Sequence, residues 1–317
     1  MTTVRDTSLD EALYGKDMFG YANVPDSGGI MADRFLVPPF SILDAKQGYW
    51  QDRKRAWIGL GIESEIGRGD SLTYSASTDF MSERIKSAGG GTSIFDPVVC
   101  ELAYRWFTGN GYVGRDPFAG GSVRGGIAAP MGRRYWGCEL REEQVEANRH
   151  QGATLCKGRE PTYVCGDSLK ELDYAPEADF VFTCPPYGNL EVYSEDPSDI
   201  SNMRNEGFDE IYAEIIRKSC DKLRNNRFSA IVVGDYRDKR GMYVNFVSKT
   251  IDLFLKAGMQ LYNEAILATS IGSLPLRVPR QFSASRKLGK SHQNFLVFIK
   301  GDPKKAVKDI GEELEEV

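Results

Sequence analysis

The chain is expected to be an α/β protein, with an open, mainly parallel sheet of seven strands and helices on both faces. Three observations predict this. From Thr92 onward short apolar runs alternate with amphipathic stretches, the pattern of strands wound against helices. The apolar run Ala178–Phe182 stops at Thr183-Cys184-Pro185-Pro186-Tyr187, as a buried parallel strand does when its carboxyl end opens into a crevice. An earlier run turns through Asp116-Pro117-Phe118-Ala119-Gly120-Gly121-Ser122 into a helix, and glycines at such a turn let the backbone approach a ligand closely.

The elements follow in order. A helix is predicted over about 97–107 and a strand over 112–116. A helix at about 122–131 precedes a strand at 135–139. A helix over 141–150 and a strand over 162–165 come next, then the strand at 180–183. Helices at about 207–224 and 243–257 flank a strand at 230–234. The last two strands, about 260–268 and 293–299, enclose a long loop, Leu274–Ser291, and form a hairpin-like closing pair. Ahead of this, residues 1–33 are polar and Gly/Asp-rich and are expected to be poorly ordered or loosely attached. Residues 34–91 read as a small N-terminal subdomain carrying the aromatic and basic cluster Tyr49–Trp57, closed by the flexible Gly89-Gly90-Gly91. Residues 92–301 would be the catalytic domain and 302–317 an acidic tail, with Glu312–Glu316 a solvated helix or tail.

Composition narrows the function classes. Of 317 residues, 41% are hydrophobic and 27% charged, which is ordinary for a soluble globular protein. No apolar run reaches the roughly 20 residues of a membrane span, and Met1–Asp10 lacks the apolar core of a signal peptide, so no membrane partner and a cytoplasmic location are expected. The six cysteines are scattered without a C-x-x-C pair, and there are two histidines, so neither a metal site nor a disulfide framework is expected. A net charge of −5 argues against a protein that coats nucleic acid, leaving a local basic surface as the means of contact. A dimer is compatible with the sequence, which leaves oligomeric state open.

The strand tips carry the chemistry. Glu139 ends the second strand of the alternating region 23 residues after Asp116, where an acid accepts hydrogen bonds from ribose hydroxyls; a solvated strand-end glutamate is the plainer reading. Asp167 follows the third strand and could accept an exocyclic amino group, or simply cap a helix. At the fourth tip the two prolines fix the backbone and Tyr187 offers a flat stacking face, although prolines also serve merely to end strands.

Taken together, these tips resemble the amino-directed, S-adenosylmethionine-dependent DNA methyltransferases. In that family a D-P-F-x-G-x-G turn holds the methionine part of the cofactor, acids end strands two and three, and a (D/N/S)-P-P-(Y/F/W) motif receives the base. The matches are Asp116, Phe118, Gly120, Glu139, Asp167 and Pro185-Pro186-Tyr187. Thr92-Ser93-Ile94-Phe95-Asp96-Pro97 is similar to the family's additional cofactor motif. The likeness extends from about Thr92 to Lys300. Its overall run, including Glu191-Val192-Tyr193 and Leu274-Pro275-Leu276-Arg277, looks like methylases of bacteriophages and their hosts, the kind found in restriction–modification. Two positions depart from the pattern: Ser122 replaces the second glycine of G-x-G, where Gly121 compensates, and Cys184 opens the base motif.

The resemblance implies a Rossmann-like, seven-stranded class I methyltransferase sheet. It implies S-adenosyl-L-methionine held by Thr92, Phe95, Asp96, Asp116, Phe118, Gly120, Gly121, Glu139, Asp167 and Thr183. Catalysis would rest on Cys184, Pro185, Pro186 and Tyr187, with DNA as the partner and adenine N6 or cytosine N4 as the target. The base would be flipped out, stack on Tyr187, and donate amino hydrogens to the Pro185 carbonyl and weakly to Cys184. Alternatives left open are an RNA methyltransferase, C5 transfer through a Cys184 thiolate, and a binding module that has lost transfer. The nucleic-acid surface is expected in the loop Leu274–Ser291, where Arg277, Arg280, Arg286, Lys287 and Lys290 would hold phosphates and Gln281 or an arginine would read base edges. Arg53, Lys54 and Arg55 with Trp50 and Trp57 form a second candidate patch, for which core aromatics beside surface charges are an equal reading.

Overall fold

A computed structural model describes residues 7–18, 20–24, 31, 35–62, 95–156, 158–187, 199–200, 203, 205–272 and 274–311. Helix α1 (Thr7–Tyr14) is followed by strand β1 (Ile42–Asp44), α2 (Gly48–Gly59), α3 (Pro97–Phe107), β2 (Val113–Asp116), α4 (Val123–Ala128) and β3 (Arg134–Glu139). Next come α5 (Glu142–Leu155), β4 (Thr162–Cys165), α6 (Ser168–Glu171), β5 (Phe180–Thr183), α7 (Asn205–Asp221) and β6 (Arg227–Val233). The chain continues through α8 (Phe246–Lys256), β7 (Gln260–Ala268), α9 (Leu274–Ser285), β8 (His292–Lys300) and α10 (Pro303–Ile310).

The sheet has eight strands, in the order β1-β7-β8-β6-β5-β2-β3-β4, which corrects the expected seven. The additional strand is β1, which pairs parallel to β7 with Ile42 opposite Ile266. Three residues with one buried side chain, Leu43, are too short a run to stand out from a loop in sequence. β8 runs antiparallel between β6 and β7, the closing pair expected from sequence, and the other pairings are parallel.

Period-two patterning explains the two cores. Phe228, Ala230 and Val232 of β6, with Phe295, Val297 and Ile299 of β8, join the layer formed by α1 to α5 and α10. Ile231 and Val233, with Leu296 and Phe298, pack against α7 and α8 on the opposite face. α3 starts where the sequence places it because Asp96 caps it, accepting from the Val98 N–H at 2.9 Å, and Pro97 supplies a preset φ at its first position.

Within residues 1–33, expected to be loosely attached, α1 buries Leu9 and sends Asp10 to Arg53 at 2.6 Å. The candidate patch around Arg53 is an internal ion network. Arg53, Trp50 and Trp57 are each at most 2% exposed; Arg53 forks onto Glu101 at 2.6 and 2.8 Å, and Trp57 donates to the same carboxylate at 2.6 Å. Arg105 adds a third donor group at 2.9 Å. Burial alone would raise the Glu101 carboxyl, but Arg53 and Arg105 outweigh it and hold the group down to about 2. Lys54 pairs with Asp96 and Arg55 with Asp52. The segment 274–285 is a helix rather than part of a loop, despite an internal Pro279. No helix of the described residues is long and apolar enough to cross a membrane.

Candidate active site at the sheet switch point

β2 lies between β3 and β5, so the winding of the sheet reverses there, and the carboxyl ends of β2 and β5 flank the crevice that such a reversal opens. Asp116 sits at that point, fully buried. Its Oδ1 accepts from the Phe118 N–H at 3.1 Å and the Thr183 hydroxyl at 2.6 Å; its Oδ2 accepts from the Tyr135 hydroxyl at 2.8 Å and from Arg124 Nε. The carboxyl ends of β2 and β5 and the amino-terminal part of β3 are thereby tied to one carboxylate. Arg124 also donates to the carbonyls of Phe118 (2.6 Å) and Ala119 (3.0 Å), and its guanidinium lies 4.6 Å from the centre of the Phe95 ring. Burial would lower the Arg124 pKa, and the neighbouring Asp116 carboxylate more than offsets this and raises it. In this structure Asp116 and Thr183 hold the glycine turn in shape from beneath it.

The turn is stitched to the next two tips. Gly120 adopts φ +51°, a left-handed conformation that favours glycine, and its N–H donates to Glu139 Oε2 at 3.0 Å. Asn148 of α5 donates to the Gly120 carbonyl at 2.7 Å. The other Glu139 oxygen accepts from the Arg141 N–H at 3.0 Å. Burial raises the Glu139 pKa, and the hydrogen bonds only partly counter it. Asp167 caps α6, accepting from the Leu169 N–H at 2.9 Å, which is the plainer of its two sequence readings, and Ser168 donates to the Pro117 carbonyl. Gly121, half-buried, follows Gly120.

At the β5 tip Pro185 is buried, while Cys184, Pro186 and Tyr187 are half-buried. The Tyr187 hydroxyl accepts from Gln293 Nε2 of β8 at 2.6 Å, with Cys184 Sγ 3.9 Å away. The Tyr187 ring stands edge-on to Phe246 at 5.9 Å; Phe246 packs on Tyr212 at 5.3 Å, and Tyr212 on Phe118 at 6.1 Å. An aromatic row therefore connects the glycine turn to the Pro-Pro-Tyr tip. Phe95 lies edge-on to Phe182 at 5.7 Å, and Asp96, besides capping α3, accepts from the Trp50 indole N–H at 3.3 Å. Thr92 and Glu191-Val192-Tyr193 lie outside the described residues, as does Glu312–Glu316.

The expected nucleic-acid residues separate into two groups. Arg277, Arg280 and Gln281 are exposed on α9, which buries none of its residues, and Arg286 lies over the Phe282 ring at 5.3 Å. Lys287 and Lys290 are half-buried; Lys290 Nζ lies 3.5 Å from His292 Nε2, and burial lowers its pKa. A Cβ at Gly234, just after β6, would stand 3.7 Å from Lys290 Cε and 3.9 Å from the Tyr187 hydroxyl, so both side chains reach the same glycine. Sequence reasoning missed Arg124, Gln293 and the Tyr212–Phe246 pair. Arg124 had a signal, a lone cation among the small residues of the helix opening; Gln293 had none.

No family model matches the chain, and no curated protein matches it. Solved structures similar to it include TrmN from Thermus thermophilus, 16% identical, covering 69% of this chain and 53% of that chain with a TM-score of 0.44. The chain thus spans about half the length of TrmN. Another is magnesium protoporphyrin IX methyltransferase (ChlM) from Synechocystis PCC 6803 with bound SAM, 11% identical, covering 75% and 89%, with a TM-score of 0.44. A third, a candidate DNA modification methylase from Thermus thermophilus, is 20% identical over 43% of this chain and 51% of that chain, with a TM-score of 0.32.

Proposed function

We propose that the protein is an S-adenosylmethionine-dependent methyltransferase acting on an exocyclic amino nitrogen of a DNA base. The observation that carries this reading is the convergence of the four strand-tip motifs on one end of the sheet at its switch point. The glycine turn suits the cofactor: a Cβ at Gly120 would meet nothing closer than the Phe118 carbonyl oxygen at 4.0 Å, so the missing side chain leaves open space beside a rigid backbone. Gly120 and Gly121 would pass close to the cofactor, Glu139 would receive ribose hydroxyls, Asp167 would face the adenine, and Phe95 with Phe118 would supply apolar walls.

The bound sulfonium supplies an electrophilic methyl group, so the protein's task is chiefly positioning. Asp116, through Arg124 and Thr183, keeps the glycine turn and the β5 tip in fixed relation. Tyr187, held by Gln293 and Phe246, would stack on the extruded base, and the Pro185 carbonyl would accept an amino hydrogen. The test is expression in methylation-free cells, digestion of the DNA to nucleosides and mass spectrometry. N6-methyladenine or N4-methylcytosine is expected with the wild type, and Tyr187→Ala should lose stacking worth about 1–3 kcal/mol. Full activity in both Tyr187→Ala and Pro185→Ala, or C5-methylcytosine as the product, would refute the assignment.

A further inference from the structure

Between β6 and α8 the chain forms a short, tightly bonded hairpin that no sequence motif marks. Arg237 and Tyr243 form an antiparallel bridge. Val244 N donates to Tyr236 O at 3.0 Å and Asp238 N to Met242 O at 2.8 Å, while Asp238 Oδ1 accepts from the Arg240 and Met242 N–H groups at 3.0 and 2.9 Å. Its base is anchored by Tyr236, edge-on to Phe246 at 5.8 Å, the same ring that supports Tyr187. A loop this well bonded holds its tip in place. That tip exposes two large side chains, Met242 at 60% and Tyr243 at 42%.

Cations surround the exposed ring. Arg237 Cζ lies 3.9 Å and Lys290 Nζ 5.8 Å from the Tyr243 centroid, and Arg237 is braced by a 2.8 Å hydrogen bond to the Gly241 carbonyl. The Lys287 side chain packs over Gly241 and leaves no room for a Cβ there. Arg240, its Nε paired with Asp238 at 3.0 Å, is 83% exposed at its side chain, and Lys239 is exposed. Lys290 lies near Tyr243 and, like the Tyr187 hydroxyl, beside Gly234. Such clustering of positive charge is notable on a chain whose net charge is −5. An aromatic face among lysines and arginines matches the alternation of bases and phosphates in an unpaired strand, where the ring stacks on a base and the cations neutralise the backbone.

We infer that the hairpin 236–243 grips the DNA strand that bears the target base, with Tyr243 stacking on a nucleotide next to the extruded one and Arg240, Lys287 and Lys290 meeting the flanking phosphates. This rests on the reading of Tyr187 as the base platform, and it adds the neighbouring nucleotide as a second point of hold. Met242 lies at the exposed tip, where it can wedge beside the base step that the extruded nucleotide leaves.

The experiment is fluorescence anisotropy of the full-length protein with a labelled single-stranded DNA oligonucleotide of mixed sequence, over a range of salt, alongside the nucleoside assay. Tyr243→Ala should weaken binding by about five- to a hundredfold with the salt slope unchanged, whereas Tyr243→Phe should bind as the wild type does. Arg240→Ala should lower the log–log salt slope by about 0.7. Met242→Glu, at an exposed position that the fold does not need, should weaken binding through repulsion of phosphate. Unchanged affinity in both Tyr243→Ala and Met242→Glu would overturn the inference, as would tighter binding of an RNA of the same sequence. The two readings fail separately. A wild type that methylates, with Tyr243→Ala binding and methylating equally well, removes the hairpin alone; a wild type that never methylates, yet loses DNA binding in Tyr243→Ala, removes the transfer reaction alone.

Discussion

Replacing Asp116 by asparagine should damage the architecture of the cleft in a measurable way. The carboxylate takes four donors on two oxygens, and asparagine keeps one acceptor oxygen while turning an NH2 group toward part of the set. With its oxygen retained by Phe118 N–H and the Thr183 hydroxyl, the amide would confront Tyr135 and Arg124, both donors. Arg124 would keep the Phe118 and Ala119 carbonyls but would carry an uncompensated buried charge. Removing one partner of a buried ion pair costs about 3–5 kcal/mol, a large share of the roughly 5–15 kcal/mol by which a domain is stable. Urea unfolding should therefore show a lower midpoint for Asp116→Asn. A double-mutant cycle with Arg124→Met isolates the pair, because removing both charges leaves neither stranded, and a coupling of about 1–3 kcal/mol is expected. A coupling below about 0.5 kcal/mol, with Asp116→Asn as stable as the wild type, would refute the keystone role.

Two other perturbations test the interior. Because the folded Glu101 carboxyl is held down to about 2 against an ordinary 4.5, its contribution to stability is complete above about 4.5 and is lost as pH falls through about 2; Glu101→Gln should flatten the stability–pH profile in that window, and parallel profiles would count against the network. Arg115 is 1% exposed and none of its guanidinium nitrogens has a hydrogen-bond partner among the described residues; burial lowers its pKa to about 10. Arg115→Met should raise stability by about 1–4 kcal/mol by calorimetry or urea titration, and a loss of more than 1 kcal/mol would mean that the guanidinium has a partner in solution.

Much of the fold was legible because each strand and helix is encoded locally. The run Phe180–Thr183 is apolar on both faces, so a buried parallel strand was its natural reading, and the Asp96-Pro97 start of α3 is written in two residues. β1 was missed because it is stabilised by the edge of β7, a partner more than two hundred residues away, and not by a run of its own. The basic segment after Leu274 read as a loop because its prolines and polar residues argue against a helix; yet Pro275 falls in the first turn of α9, where a proline is tolerated, although Pro279 lies inside it. The Arg53 cluster shows the opposite error. Three consecutive cationic residues looked like surface, and only the fold brings Glu101 and Asp10 to the one that is buried.

By itself, then, the order of residues determined the alternating α/β plan and the motifs that end its strands, since hydrophobic period, proline and glycine act over a few residues. Tertiary structure alone decided what those tips share. Asp116 meets Thr183 and Tyr135, Tyr187 meets Gln293, and Tyr243 stands beside Lys290 because the fold joins positions separated by 67, 19, 106 and 47 residues, distances over which no local propensity carries information.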